Sequence, residues 1–416
     1  MSYGVNSQDF PALSPREKIL WKIYKWCVVL LAFQAFHCVY FLSINTYVFH
    51  LGIFAILTLV NFASTSFLSY NKRTTQWIGI LAIFLALCGI NKLNVFSGTL
   101  IQLLPSLYIF YLKKEFKQDL LRFFIKIFSI VVFITAVAWT LYLFGIELPN
   151  IASIAYDSYS FENHILYVVR NVNWIVKYPR FSSIFLEPGY LGSFIALLWY
   201  ASQYRANKGP YKFFLLYSLL LTFSLAAYLL LMFSFFLTRF YKSRHKIVFI
   251  GIVVVCLSGI FIFSKNYKEG DNILNVLILE RLQGDGEGGI AGNNRSTAAF
   301  KDWFKRDFVR SSSLLLGTEQ SLNYMSEGSG SVGVDAFVAR FGLISLMFYI
   351  LFLFLPCHNF RQVLLSLLYL LNFIQTSFTW YWFNYLLIFI LAMNVYDKYC
   401  PTEITADCHE KHKKKD

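Results

Sequence analysis

The chain has 416 residues, of which 57% are apolar, 19% aromatic and only 14% charged. Apolar runs of about 20 residues recur from Leu20 to Val395, which is typical of α-helices that span a bilayer and excludes an ordinary soluble globular protein. A β-barrel would instead show short alternating segments. The net charge of +14 is expected to lie in cytoplasmic loops, where lysine and arginine set the orientation, rather than to bind nucleic acid.

The apolar runs predict about twelve transmembrane helices, so the expected fold is an all-α polytopic membrane protein with both ends in the cytoplasm. The run 213–238 is interpreted as two short helices broken near Thr222, because one helix would place the basic cluster at 239–246 outside. The predicted regions in chain order are a cytoplasmic N-terminus (1–18), helices 1–5 (19–146), an outer loop (147–188), helices 6–9 (189–264), a larger outer loop (265–332), helices 10–12 (333–396) and a cytoplasmic tail (397–416).

The stretch Tyr178–Gly192 closes the first outer loop and runs directly into an apolar helix. Arg180 and Glu187 approach the membrane together there, ahead of the Pro188-Gly189 break. Orientation does not require an arginine on this side, whereas the planar guanidinium suits phosphate oxygens. A carboxylate at a helix start is also stabilised by the helix dipole. We therefore predict a charged site at this membrane border.

The second outer loop contributes Arg281 and Arg295, which lie on either side of a glycine-rich run at 284–292. That run lacks the Gly-Lys-Ser/Thr ending of a phosphate-binding P-loop, so we interpret it as a mobile lid over a substrate groove. The alternative for any of these arginines is an interfacial anchor, which fits Arg170 and Arg310 best. The cysteine and histidine spacings indicate no metal site and no disulfide.

Residues 296–310 predict an amphipathic helix with Ser296 as its N-cap. Its aromatic residues recur every three to four positions, at Phe300, Trp303, Phe304 and Phe308. This helix is expected to lie either on the bilayer surface or on the helix bundle. Helix 10 follows with Asp335 and Arg340 near its outer end, where Arg340 is expected to pair with Asp335 or Glu187.

Arg180 and Glu187-Pro-Gly189, placed ahead of helix 6, resemble the Wzy-type O-antigen and capsular polysaccharide polymerases, which share a superfamily with the O-antigen ligases. Later residues follow the family's order, namely Arg281, Asn293-Asn-Arg-Ser296, Trp303, Leu316-Gly317 and Ala339–Ile344. Many members, the ligases above all, carry a histidine ahead of the glycine that matches Gly342. This chain has Ser331 at that position, which moves the expected catalytic base to a carboxylate.

The resemblance implies a GT-C-like enzyme of the bacterial inner membrane whose two long loops are periplasmic. The donor would be a glycan on undecaprenyl diphosphate and the acceptor a hydroxyl of one lipid-linked repeat unit. Transfer would invert the anomeric carbon without nucleotide sugar, metal or other cofactor. The implied roles are Glu187 as general base, with Asp335 as its substitute, and Arg180, Arg281 and Arg295 as diphosphate-binding residues. A chain-length regulator is the implied protein partner.

Two other functions are compatible with this sequence. An O-antigen ligase would use the same donor with lipid A-core as acceptor, and the missing histidine disfavours it. A lipid-glycan flippase or another transporter would place its charges at mid-membrane inside broken helices. Lys126 is the main charge within a predicted span, and it lies about one turn from the cytoplasmic end. The remaining charges of interest cluster in the outer loops, which favours an enzyme.

Overall fold

Most of the described chain is helical. The computed structural model describes residues 11, 13–90, 93–156, 159–171, 180–202, 210–242, 246–272, 275, 279–280, 297–321, 333–376 and 380–395. The α-helices within these ranges are α1 Pro15–Ala35, α2 Thr46–Ala63, α3 Lys72–Gly89, α4 Leu93–Leu103, α5 Ser106–Tyr111, α6 Lys114–Leu143, α7 Pro188–Ser202, α8 Tyr211–Leu221, α9 Leu225–Lys242, α10 Lys246–Asn266, α11 Ala298–Trp303, α12 Val334–Phe354, α13 Phe360–Gln375 and α14 Phe383–Val395.

Three of the described helices, α2, α6 and α12, are long and apolar enough to cross a membrane. The chain is therefore a helical membrane protein, in agreement with its composition. The total of about twelve spans stays a prediction.

The loop predicted at 147–188 contains a small antiparallel sheet, so the expectation of an all-α chain is wrong there. Its strands, in their order of pairing, are β1 Ala152–Tyr156, β2 Tyr159–Asn163 and β3 Val168–Asn171. In the register of the sheet, Phe161 lies opposite Ile154 on one side and Arg170 on the other. This segment contains the aromatic and β-branched residues that are enriched in strands. It was nevertheless predicted to be a polar loop, because charged residues are interspersed among them.

His164 and Tyr167 connect the sheet to the C-terminal end of α6. Its Nδ1 donates to Leu148 O at 2.7 Å, and its ring stacks on Tyr167 with centroids 5.0 Å apart. Tyr167 in turn packs edge-on against Trp139 of α6 at 5.5 Å. The other imidazole nitrogen, Nε2, lies 3.5 Å from the Glu162 carboxylate. We call the end of the bundle that carries this sheet the sheet end.

The sheet end also carries the start of α7 and Trp382, just ahead of α14. Val168 of β3 donates its N–H to Ser183 O at 2.9 Å, just ahead of α7. Tyr190, in the first turn of α7, packs edge-on against Trp382 with centroids 4.9 Å apart. Residues far apart in the chain are therefore neighbours at this end.

α7 forms the centre of the bundle. Its residues 191–198 are all buried, and it packs against α6, α8, α9, α13 and α14. α8 and α9 are separated by only three residues, 222–224, which confirms the predicted break in this apolar run. Phe223 has a left-handed φ of 43°, which is uncommon for a residue other than glycine.

Two predicted helices are shorter or more broken than their apolar runs suggest. Helix 1 was expected to continue to residue 42, but α1 ends at Ala35. Helix 4 was expected to be continuous, but it divides into α4 and α5 at Pro105, because proline has no N–H to donate to the preceding turn. The His50 imidazole of α2 donates through Nδ1 to Gln102 O, 2.9 Å away, beside this break.

α12 is interrupted at Gly342, which has a φ of 83°. Residues Leu315–Thr318, here called the crossing segment, run past the interruption. The first carbonyl of the crossing segment accepts from Ile344 N–H at 3.1 Å, and its last N–H donates to Ala339 O at 2.9 Å. The crossing segment thus supplies backbone partners that the broken helix does not provide for itself.

α11 and the π-helical turn at 304–308 pack on α12, in agreement with the expected position on the helix bundle. The residues buried together in this cluster are Phe300, Trp303, Phe308, Ala336, Val338 and Ala339. Thr297 supplies the N-cap, since its Oγ1 accepts from Phe300 N–H at 3.2 Å. Ser296, the predicted cap, lies outside the described residues.

Glu17 joins two elements at the end of the bundle opposite the sheet. It forms a capping box with Ser14 in the first turn of α1, ahead of the apolar part of that helix. Its carboxylate also accepts from the hydroxyls of Ser64 (3.2 Å) and Ser66 (2.7 Å). The hydrogen bonds from Ser66 and Ser14 lower the pKa of Glu17 from 4.5 to about 2.

The crossing segment requires glycine at two positions. A Cβ on Gly342 would overlap Leu315 O, and a Cβ on Gly317 would overlap Arg340 O. We expect Gly342→Ala and Gly317→Ala each to lower the free energy of unfolding by more than about 1 kcal/mol, because both positions have positive φ and no space. Thermal unfolding of the detergent-solubilised protein measures this. Gly52→Ala, at a helical site with no neighbouring atom within 4 Å, should leave stability equal or higher.

The Glu17 carboxylate predicts a loss of stability in acid. Because folding lowers the pKa of Glu17, the carboxylate contributes its full stabilisation above about pH 4.5. This stabilisation is lost as the pH falls towards 2. Glu17→Gln should therefore flatten the fall of the unfolding temperature between about pH 5 and pH 3. Equal slopes in the wild type and the variant would show that these hydrogen bonds do not depend on the carboxylate charge.

Candidate functional site

The first turn of α7 opens to the surface at the sheet end. Residues 187–190 are half-buried, whereas 181–186 before them and 191–198 after them are buried throughout. We call residues 187–190 the mouth. A central helix that is closed along its length and open at its first turn gives a ligand access to a rigid part of the bundle.

Glu187 is the N-terminal cap of α7. Its carbonyl accepts from Leu191 N–H at 3.2 Å, and its Oε1 accepts from Gly189 N–H at 3.4 Å. Pro188 occupies the first helical position, where its missing N–H costs no hydrogen bond. The carboxylate is therefore held at the positive end of the α7 dipole, as its sequence position indicated.

Arg180 lies at the break between α8 and α9. Three consecutive carbonyls at the end of α8 accept from outside the helix: Leu220 O from Tyr228 Oη, Leu221 O from Phe181 N–H (3.2 Å) and Thr222 O from Arg180 Nε (3.0 Å). Arg180 thus places its charge at the negative end of the α8 dipole and has a structural role. The same guanidinium carries four further N–H donors beyond Nε.

Gly192 brings α7 against that break. A Cβ at this position would lie 2.8 Å from Thr222 Oγ1 and 2.9 Å from the Ala227 Cβ. The second turn of α7 can approach the start of α9 this closely because residue 192 has no side chain. Arg180 and the second turn of α7 consequently meet the same three-residue break. Arg180 contacts the Thr222 carbonyl, and Gly192 lies against the Thr222 hydroxyl.

The other predicted site residues are not brought to the mouth within the described structure. Asp335 is exposed in the first turn of α12. α12 packs against α3 and α13, and α13 contacts both α12 and α7. Among the residues described, no hydrogen bond or ion pair links Asp335 to Glu187. Arg281, Arg295 and the glycine-rich run 284–292 lie outside the described residues.

Arg340 does not form the ion pair expected from the sequence. It is half-buried on α12, and neither Asp335 nor Glu187 pairs with it. Its guanidinium carbon lies 5.2 Å from the centroid of the Phe341 ring. The buried Nε has no hydrogen-bond partner in the described part of the chain. The expectation fails because the helix points Arg340 into the bundle while Asp335 faces outwards.

His37 and Trp382 flank the mouth and were missed from the sequence. His37 follows the end of α1 with a φ of 52°, and its ring packs edge-on against Trp382 at 5.4 Å. Trp382 also contacts Tyr190 of the mouth. Burial lowers the pKa of His37, which favours the neutral imidazole. Its only sequence signal is a lone histidine late in the first apolar run.

Within the described residues, no three His, Cys, Asp or Glu side chains lie close enough together to hold a metal ion. Comparison with protein-family models, with characterised proteins and with solved structures gives no match to this chain. The function is therefore inferred from the chemistry and geometry of the site itself.

Gly192→Ala tests the close approach of α7 to the break. The added methyl group would crowd Thr222, Ala227 and Ser224, so we expect a loss of about 1–3 kcal/mol in the free energy of unfolding. Thermal unfolding in detergent measures it. Gly79→Ala, in α3 with no atom within 4 Å, is the matched control. Equal unfolding temperatures for the two variants would contradict the packing described.

Proposed function

We propose that the protein is a glycosyltransferase of the bacterial inner membrane that polymerises undecaprenyl-diphosphate-linked repeat units into O-antigen or capsular polysaccharide. The observation that supports this most is the mouth itself. A carboxylate caps the half-buried first turn of an otherwise buried central helix, and an arginine lies at the adjoining helix break. Both groups are held by rigid elements in a membrane protein, which is where a lipid-linked substrate would be met.

The proposed reaction is an inverting transfer. Glu187 accepts the proton of the acceptor hydroxyl as its oxygen attacks the anomeric carbon of the donor glycan. The bond between that carbon and the diphosphate oxygen breaks, and the electron pair leaves with undecaprenyl diphosphate. A carboxylate base of this kind contributes about 10²–10⁴-fold to the rate.

Arginine at the mouth suits the leaving group. The diphosphate gains negative charge in the transition state, and a fixed guanidinium in a water-poor site stabilises that charge. Arg180 is already oriented by its bond to Thr222 O, which lowers the reorganisation that binding a diphosphate requires. Arg281 and Arg295 are proposed to complete the diphosphate site, and Asp335 to be the substitute for Glu187 as base.

The same proposal places the sheet end at the periplasmic face. Its partners are then the lipid-linked glycan, the surrounding bilayer and a chain-length regulator. Neither a metal nor a cofactor has a role in the proposed steps, which use only side chains of this protein.

Turnover of a purified lipid-linked repeat unit by the full-length protein in nanodiscs tests the proposal. Polymer ladders on a gel should form with the wild type. Glu187→Gln should slow their formation by about 10²–10⁴-fold, and Arg180→Ala by about 10²-fold or more. Arg310→Ala, an exposed arginine of the same loop system, is the control and should behave as the wild type.

Thermal unfolding of each variant separates catalysis from folding. Arg180 also binds the carbonyl of Thr222 at the end of α8, so Arg180→Ala is expected to lower the amount of folded protein. This variant supports the proposed role only if its turnover falls by more than its folded fraction. Transfer to lipid A-core in place of a second repeat unit would contradict the polymerase and indicate a ligase. Wild-type rates in both Glu187→Gln and Arg180→Ala would contradict the assignment of the mouth as the active site.

A further inference from the structure

Arg340 is a cation without a counter-ion in the described structure. The residue is half-buried, its Nε is fully enclosed, and it makes no hydrogen bond or ion pair with any described residue. Its electrostatic neighbours are the phenol of Tyr381 and the thiol of Cys88, neither of which carries a negative charge at neutral pH. Burying an uncompensated charge destabilises a fold, so a retained one requires an explanation.

The backbone around Arg340 is held unusually firmly. Ala339 O, one residue before it, accepts from the crossing segment, and Ile344 N–H, four residues after it, donates to the same segment. Gly317 lies directly against Arg340 O, at a distance that no other residue could adopt. The Cα of Arg340 is therefore fixed relative to both α12 and the crossing segment. A cation on such a support is preorganised, which lowers the entropic cost of binding an anion.

Aromatic rings form one side of the Arg340 environment. The guanidinium lies over Phe341, and Trp380 packs edge-on against that ring with centroids 5.9 Å apart. The two terminal nitrogens of a guanidinium form a planar pair of N–H donors. Such a pair has the geometry that binds two oxygens of one phosphoryl group.

Residues 381 and 382 connect Arg340 to the mouth. Tyr381 is an electrostatic neighbour of Arg340, Trp382 follows it in the chain, and Trp382 contacts Tyr190 of the mouth. A ligand that carries a phosphoryl group with a sugar attached to it offers one group for Arg340 and another for the mouth.

From these observations we infer that Arg340 is a phosphoryl-binding residue, whose ligand is the diphosphate of the lipid-linked substrate. The inference rests on the proposed function for the identity of the lipid. The chemistry it requires is only a pair of phosphate oxygens within reach of the guanidinium.

Stability and binding should respond to Arg340 in opposite directions. Arg340→Met keeps the length and apolar stem of the side chain but removes its charge. If Arg340 served the fold, this variant would unfold at a lower temperature. Because the guanidinium makes no hydrogen bond or ion pair with the described residues, we expect the unfolding temperature of this variant without ligand to equal or exceed that of the wild type.

Binding is measured on the full-length protein in nanodiscs with undecaprenyl diphosphate, inorganic pyrophosphate and phosphatidylglycerol as separate probes. We expect Arg340→Met to weaken undecaprenyl diphosphate binding by at least about tenfold, as for loss of a charge-assisted hydrogen bond. Arg340→Lys should restore only part of the affinity, because an ammonium lacks the planar fork. Arg310→Ala should bind like the wild type. If Arg340→Met also lost binding to inorganic pyrophosphate, Arg340 would recognise the diphosphate without the lipid chain.

Three results would overturn the inference. They are unchanged undecaprenyl diphosphate affinity in Arg340→Met, a lower unfolding temperature of that variant without ligand, and an equal loss of phosphatidylglycerol binding, which would make Arg340 a general lipid anchor. A different result would contradict the proposed function while leaving the inference on Arg340 intact. In that case wild-type protein would bind undecaprenyl diphosphate through Arg340 and yet form no polymer from any lipid-linked repeat unit.

Discussion

Backbone polar groups inside a bilayer have no water to bind, so every break in a membrane helix must be matched by a partner from elsewhere in the chain. Each break described here follows this constraint. The carbonyls at the end of α8 are bound by Arg180, Phe181 and Tyr228. The Pro105 break is accompanied by the His50 imidazole, and the Gly342 break by the crossing segment. The irregular parts of this bundle are consequently its most interconnected parts.

The same constraint separates two arginines that look alike in sequence. Arg180 stands in a stretch with functional character, and the structure gives it a definite structural bond to Thr222 O. Arg340 looked like one half of an ordinary ion pair, and the described structure leaves its buried Nε without a hydrogen-bond partner. A structural role explains the presence of an arginine that binds the backbone. It does not explain an arginine that only adds a buried charge. The structural argument for ligand binding is therefore stronger for Arg340.

Much of the fold could be predicted from local pattern. Apolar runs located most helices, the charge of flanking residues located the break at 222–224, and Pro188-Gly189 marked the start of α7. The sheet at 152–171 was missed because three short strands alternate too weakly against their charged neighbours. The crossing segment and the missing partner of Arg340 depend on contacts between distant parts of the chain. Periodicity carries no information about such contacts, so no reading of one sequence would have given them.

Order of synthesis matters for α12. Leu315–Thr318 leave the ribosome before Val334–Phe354, and they hold the donor and acceptor that the interrupted helix needs at Gly342. When α12 is synthesised, its hydrogen-bond partner is thus already made. The interrupted helix satisfies these two backbone groups only in the conformation in which it is docked on the crossing segment.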